Sequence, residues 1–521
     1  MNRPDPIDHQ LNDQQREAVR ATEGPVLILA GAGSGKTRVL THRAAWLIRS
    51  AGVRPDEIVA VTFTNKAAEE MKARIAALLR AQGSDPAGIR MGTFHALCLR
   101  ILRVEAARIG YRNDFAVFDT ADQTAVMKEV VAELRLDANV HPPRALLHRI
   151  SAARNRLVSA GEIAAALRGP GGEVLARAYE AYLRKLRASN AMDFDDLILR
   201  VLELFRAHPD VARRYRDRTR YLMVDEYQDT NRSQYELISA LASATRNLCV
   251  VGDDAQSIYR FRGADIGNIL RFQEDYPDAR VIKLTRNYRS TARILQAAGH
   301  VIRNNRGRLD KELWTHNPQG EPVAYLQADT DRDEAAFVAG QIAALARGGA
   351  DAAQELSGMA VLYRTNAQSR LLEEALMSAG IPYRIYGGPR FYDRKEIKDL
   401  LSYLRVVVNP ADDVSLRRIL NVPPRGLGKA ALEALQEAAG AERIGLHAAL
   451  QRAATRTPPE RFTAAVKDLL ELLDDQRARA ASGEPASALL LELARRLDYG
   501  AYLARTEPGD AESRVENIQQ L

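Results

Sequence analysis

The stretch PVLILAGAGSGKTRVL, residues 25–40, decides how the rest of the chain is read. Its first six residues, PVLILA, are apolar throughout instead of alternating with polar ones. That pattern suits a strand buried on both faces of a parallel sheet. A glycine-rich turn and a helical pattern follow. Gly31, Gly33 and Gly35, with Ala32 and Ser34 between them, let the backbone curl until its N–H groups face phosphate oxygens. Lys36 carries the positive charge that the β- and γ-phosphates of ATP require, and Thr37 offers a hydroxyl to Mg²⁺. The first position of the strict phosphate-loop pattern is Ala30 instead of glycine.

A phosphate loop also needs an acidic residue at the end of another strand. YLMVDEYQDTN (221–231) supplies it. Asp225 ends the apolar run, where it can reach a metal near Thr37, and Glu226 can accept a proton from an attacking water. Further short strand-like runs are EIVAVTF (57–63), LCVVG (248–252) and RVIKL (280–284). Strand then helix, repeated, predicts an α/β core. A second set, PVAYLQA (322–328), GMAVLYR (358–364) and IPYRIYG (381–387), predicts a second sheet. Residues 114–187 have a helical texture and read as an insertion into the first α/β domain. Strand patterns stop after about residue 391, and 430–521 are rich in the helix formers Ala, Leu and Arg. The C-terminal AESRVENIQQL (511–521) reads as a helix without a stop signal, and the second strand set is short for a sheet as large as the first. Both predict that sequence is missing downstream.

At roughly 100–200 residues per domain, 521 residues suggest three or four domains. The net charge of +7 suits a polyanionic partner without requiring one. Cys98 and Cys249 make neither a metal spacing nor a disulfide framework, and both lie in apolar surroundings that predict core thiols in a reducing compartment. The N-terminus lacks the apolar core of a secretory signal, and no apolar run approaches the ~20 residues that span a bilayer. A cytoplasmic location and no membrane partner are the expectation.

Seven strings occur in one order: GAGSGKT, AVTFTNKAAEEMKAR (60–74), GTFHALCLRIL (92–102), MDFDDL (192–197), DEYQDTN, VVGDDAQSIYRFRGAD (250–265) and LTRNYRS (284–290). In order and spacing they resemble the UvrD/Rep/PcrA-type superfamily 1A DNA helicases of bacteria, over essentially all of residues 8–430. The resemblance implies two RecA-like P-loop NTPase domains, each with a helical insertion. The first would comprise 1–113 and 188–286, with 114–187 inserted; the second 287–390, and 391–521 a helical accessory domain. It implies ATP and Mg²⁺ as cofactors, and single-stranded DNA and single-strand/duplex junctions as partners. Repair-pathway loading proteins and association with the nucleoid belong to the same expectation, as does a monomer, with a dimer as the alternative.

Carried onto matching positions, LNDQQREAV (11–19) resembles the Q motif, so Gln15 would read the adenine edge. Arg38 would contact the nucleotide, Tyr288 would stack on adenine, and Arg289 would reach the γ-phosphate. Gln256 would sense the γ-phosphate and report hydrolysis to the DNA side. A motor indifferent to sequence grips phosphates and stacks on bases, because every base has a π-face. The candidates are Phe63, Asn65, Thr93, His95, Phe194, Tyr259, Phe261 and Arg262, with Asn366 in the second domain. Most relatives carry Trp where Phe261 stands, which predicts a weaker stack. The pair Gly387 and Gly388 suits a hinge, and Arg394, Lys395 and Lys398 either touch duplex or form a solvated helix face.

Two further motor motifs of the family, a T-V-H-x-x-K-G-L-E type segment and a T-R-A type segment with a second arginine finger, are not found in the chain. This predicts an incomplete second motor domain and impaired unwinding. The expected activity is an ATP-dependent helicase or translocase, with 3′ to 5′ movement implied by the resemblance alone. In that scheme ATP binds between the RecA-like domains and hydrolysis alternates their grip on DNA. Three alternatives remain: a DNA-binding ATP switch without translocation, a motor subunit of a RecB/AddA-type nuclease, and a P-loop small-molecule kinase.

Overall fold

The computed structural model describes residues 11–81, 83, 87–167, 169–305, 307–309, 311–346, 356–386, 392, 394–455, 462–506 and 511–521. The strands are β1 (Val26–Ala30), β2 (Ile58–Thr62), β3 (Arg90–Thr93), β4 (Ala116–Phe118), β5 (Ala191–Asp193), β6 (Tyr221–Val224), β7 (Leu248–Gly252), β8 (Arg280–Leu284), β9 (Arg286–Asn287) and β10 (Trp314–Thr315). Six of them form one parallel sheet in the order β3-β2-β6-β7-β1-β8.

The all-apolar strands split by period two. Leu27, Leu29, Val59, Val61, Leu222, Val224 and Val250 point to one face, against helices Phe94–Glu105, Phe194–Ala207 and Arg232–Ala242. Val26, Ile28, Ile58, Ala60, Met223, Cys249 and Val251 point to the other, against Asp13–Arg20, Lys36–Arg49 and Asn65–Arg80. Cys98 lies in the first core and Cys249 in the second, both buried. Because every strand runs the same way, every loop that follows a strand emerges at one edge of the sheet. In open parallel sheets that edge is where ligands bind.

Between β4 and β5, which pair with each other, the helices Thr120–Glu133, Pro143–Asn155, Ala160–Ala166 and Pro170–Ala188 enclose a separate small core. Residues 395–521 fold into helices around two apolar clusters. They dock on the inserted helices: Lys398 pairs with Asp119 at 2.8 Å, Arg405 with Asp122 at 2.7 Å, and Arg417 with Glu129. Asn409 donates to the backbone carbonyls of Ser189 and Asn190 at 3.1 and 3.2 Å. Lys398 is therefore committed to this contact, and Lys395 donates to the Tyr502 hydroxyl at 3.0 Å. Neither stands as the solvated cation that one sequence reading allowed. Among the described residues, no helix is long and apolar enough to cross a membrane.

The chain divides into two compact units, Met1–Gly320 with Lys395–Leu521, and Glu321–Arg394. Residues 287–320, expected in the second domain, pack with the first sheet. The second unit corrects another expectation. Its described residues contain helices Asp331–Ala346 and Ser369–Ser378 around a small apolar cluster, but no strand. The described residues of the runs read as a second sheet form no strand; Ile381 is buried in that cluster, whereas Tyr325 is 87% and Leu362 90% exposed. Strand-like composition cannot make a sheet unless partner strands satisfy the backbone groups. The glycine pair at 387–388 lies outside the described residues.

Candidate functional site

The phosphate loop leaves β1 and enters the helix Lys36–Arg49 through Gly35, whose φ of +93° is left-handed, as is the +67° of Gly33. A side chain at either position would be strained and would also collide: with the Asn287 amide at 2.6 Å for Gly33, and with the Gln15 amide at 2.8 Å for Gly35. Gly31 is crowded in the same way by Leu313. The loop is closed from within by Ser34, whose hydroxyl donates to the Gly31 carbonyl at 2.7 Å. It ends at the N-terminus of a 14-residue helix, where backbone N–H groups lack intrahelical partners and favour an anion.

Lys36 reaches across to the end of β6. Its ammonium lies 3.2 Å from Glu226 Oε2, and Gln228 donates to the same oxygen at 2.8 Å. Glu226 itself has a left-handed φ of +51°, and its N–H donates to Asp225 Oδ1 at 3.0 Å. Asp225 is buried. Burial first, and then the adjacent Glu226 charge, push its carboxyl up to about 7, while Lys36 pulls it down. Thr37 sits half-buried in the first helical turn, and Arg38 lies beside Gly35, its Cβ 3.7 Å from where a Gly35 side chain would begin.

The donor set fits Mg²⁺: one hydroxyl, Thr37, and one carboxylate, Asp225, are hard oxygen ligands. Among the described residues, no cluster of three or more His, Cys, Asp or Glu forms a metal cage. That accords with an ion held by one or two protein oxygens plus phosphates and water.

The segment after β8 folds back over the loop. Asn287 donates to the Ala32 carbonyl at 2.6 Å, and its own carbonyl oxygen accepts from the N–H groups of Arg289 and Ser290, both at 2.8 Å. Tyr288 donates its N–H to the Gly33 carbonyl at 2.9 Å, and the hydroxyl of its exposed side chain accepts from the Asn12 amide at 2.6 Å. Arg289 is exposed beside Gly33. The resemblance assigns both positions to the nucleotide. Gln15 packs under the same loop. It is 1% exposed; its amide N–H donates to the Ser34 carbonyl at 2.9 Å and its carbonyl accepts from the Asn12 N–H at 3.2 Å. As placed, Gln15 braces the phosphate loop and completes a helix cap.

Gln256 follows β7 and donates to Asp253 Oδ2 at 2.6 Å. Asp253 also holds the ammonium of Lys311 at 2.6 Å, and Asp254 pairs with that ammonium too. Sequence reasoning quoted both aspartates without giving them a task and overlooked Lys311. A lone lysine in the irregular stretch after helix Ala292–Ile302 carries no local signal of the pairing.

The same sheet edge continues into aromatic groups. Phe63, after β2, and Tyr259, after β7, have ring centroids 5.0 Å apart; Tyr259 and Phe261 are 6.0 Å apart. The Arg262 guanidinium lies over both Tyr259 and Phe261, at 5.1 and 5.6 Å. Phe261 is 70% exposed. His95 and Phe194 meet edge to face at 5.8 Å. Thr93 is buried, and its hydroxyl accepts from the Ala96 N–H at 3.3 Å, so it caps the helix that follows. Asn65 is exposed at the start of the helix capped by Thr64. Asn366 is exposed in the separate unit, in a short turn before helix Ser369–Ser378.

Comparison with known proteins agrees with this arrangement. The family model described as "UvrD/REP helicase N-terminal domain" matches residues 11–277, and "UvrD-like helicase C-terminal domain" matches 282–476. The second match gives no support to the expected incompleteness of the second domain. The chain is 45% identical over 518 residues to "ATP-dependent DNA helicase PcrA" of Bacillus subtilis, covering 98% of this chain and 68% of that relative. Proteins of the same name from Staphylococcus epidermidis and Staphylococcus aureus are also 45% identical, each match covering 98% of this chain and 69% of the relative. With a phosphate loop, its paired carboxylates and an aromatic row on one sheet edge, and with matches along nearly its whole length, the chain belongs to the UvrD/REP helicase family.

Proposed function

We propose that the protein is an ATP-dependent DNA helicase that moves 3′ to 5′ on single-stranded DNA and acts at single-strand/duplex junctions. The observation that carries this reading is the Lys36–Glu226 ion pair, which joins the phosphate loop after β1 to the carboxylates after β6 at the edge that also bears the aromatic row. When ATP enters, Lys36 exchanges Glu226 for phosphate oxygens. The freed carboxylate takes the proton of an attacking water as the bond from the γ-phosphorus to the ADP oxygen breaks. Mg²⁺, held through Thr37 and Asp225, would supply charge neutralisation on the phosphates. Gly31, Ala32, Gly33, Ser34 and Gly35 cradle those phosphates through the backbone, and Arg38 and Arg289 add positive charge beside them. Tyr288 stacks on adenine, and Gln256 senses the γ-phosphate. Phe63, His95, Phe194, Tyr259 and Phe261 stack on bases or shape the platform beneath them. Arg262, with Asn65 and the helix N-termini after β2 and β3, grips the strand's phosphates. Thr93 holds one of those N-termini in place, and Asn366 is assigned to the DNA backbone by the resemblance alone.

ATP hydrolysis measured with and without oligo(dT), beside Lys36→Ala, tests the reading. Hydrolysis stimulated by the oligonucleotide and abolished by Lys36→Ala is expected; a chain that binds no oligonucleotide would sink it. A DNA-binding ATP switch is the second reading, favoured by the lack of strands among the described residues of 321–394. Time-resolved translocation along labelled oligo(dT) separates the two.

A further inference from the structure

The helical insertion meets the motor's loops at one side chain. Asn155 ends the helix Pro143–Asn155, and both ends of its amide are used. Its carbonyl oxygen accepts from Asn231 Nδ2 at 2.7 Å, and its Nδ2 donates to Asp195 Oδ1 at 3.2 Å and to the Ser151 carbonyl at 2.9 Å. Asn231 is the last residue of DEYQDTN and caps the helix Arg232–Ala242. Asp195 follows Phe194 directly. A third segment closes the junction: Gly263, which ends the YRFRG run at φ +87°, faces the Asn155 Cβ, 3.5 Å from where a Gly263 side chain would begin. The preceding residue reinforces the site. Arg154, 2% exposed, pairs with Asp193 at 2.6 Å and Asp196 at 2.7 Å, the carboxylates flanking Phe194 and Asp195. Asn155 thus bonds the segment after the nucleotide-side carboxylates and the segment that presents Phe194, and it faces the end of the segment that presents Tyr259 and Phe261.

We infer that Asn155 is a positioning residue through which nucleotide state at the Asp225–Asn231 segment is transmitted to the DNA-facing rings of Phe194 and the Tyr259–Arg262 run. The inference rests on the helicase reading above. It requires no contact between Asn155 and either ligand. An amide suits the task because it accepts from one neighbour and donates to the other, so displacement of Asn231 alters the support of Asp195. A carboxylate or an aliphatic side chain at the same position keeps one of these links or neither.

The test is the linkage between the two ligands. Affinity for labelled oligo(dT) is measured with and without a non-hydrolysable ATP analogue, in the unaltered chain, in Asn155→Ala, and in the paired exchange Asn155→Asp with Asp195→Asn. The unaltered chain should show an analogue-dependent shift of about fivefold or more, and Asn155→Ala should reduce it to less than about twofold. Analogue affinity without DNA should stay unchanged in Asn155→Ala. The paired exchange, which reverses donor and acceptor, should restore most of the shift. An undiminished shift in Asn155→Ala would overturn the inference and leave the helicase reading intact. So would parallel loss of analogue binding and linkage without rescue, which marks a merely structural residue, or an unaltered chain whose oligo(dT) affinity ignores the analogue. An unaltered chain that binds no oligo(dT) removes the helicase reading itself, and the inference with it.

Discussion

At the residue scale, Phe261 offers the simplest test of the DNA platform. It is exposed and carries Arg262 against its ring. Base stacking is worth roughly 1–3 kcal/mol per base, so Phe261→Ala should weaken oligo(dT) binding about tenfold. Phe261→Trp, with a larger ring, should tighten it; fluorescence anisotropy reads both. His95 makes a prediction about pH. Burial holds its imidazole below the ordinary range, with Asp193 pulling the other way. The unfolded chain therefore takes up a proton at higher pH than the fold does. The stability His95 contributes is fully present above about pH 6.5 and is lost as the pH falls toward its depressed folded value. His95→Gln should flatten the fall in melting temperature across that range, measured by scanning fluorimetry. Lys36 and Asp225 could be singled out in the sequence because phosphate and metal chemistry restricts the residue types at such positions. The task of Gln15 was less legible, because a carboxamide serves equally as base reader, helix cap and loop brace.

At the scale of elements, the uninterrupted apolar runs announced the first sheet. Strand direction then dictated that the loops gather at one edge. The second strand set had similar composition, yet none of its described residues lies in a strand, because strand pairing is a property of the partner as much as of the run. Helix Pro143–Asn155 shows the opposite failure. It reads as an ordinary Ala- and Arg-containing helix, and nothing local reveals that Arg154 is buried against carboxylates 39 and 42 residues away. Removing one member of such a buried group leaves charges stranded. Arg154→Met should therefore cost about 3–5 kcal/mol, measured as a lower urea midpoint. Replacing an exposed helix arginine such as Arg184 should cost far less.

At the scale of the whole molecule, the inserted helices and the helices of 395–521 are joined mainly by charge. Burial alone would raise the Asp119 carboxyl; the hydrogen bond and charge of Lys398, together with the backbone N–H groups of Asp122 and Ala121, outweigh it and hold the group below the usual range. Its contribution is present above about pH 4 and is lost as the pH falls through the depressed value. Neutralising the acidic side with Asp119→Asn, Asp122→Asn and Glu129→Gln should accelerate hydrogen exchange in Thr120–Glu133 and Asp413–Ile419 while leaving the β1 and β7 amides protected. None of these pairings was visible in the sequence, since each joins residues about 280 positions apart.

The two thiols carry a consequence of a different kind. Cys98 and Cys249 lie in separate cores on opposite faces of one sheet, and both are sealed from solvent. Alkylating reagents reach a sealed thiol only when its surroundings open. Each cysteine is thus a native clock for one face of the slab, and mass spectrometry of the two peptides times the openings independently. It also means that dyes attached to newly introduced surface cysteines will label selectively, without first removing the protein's own.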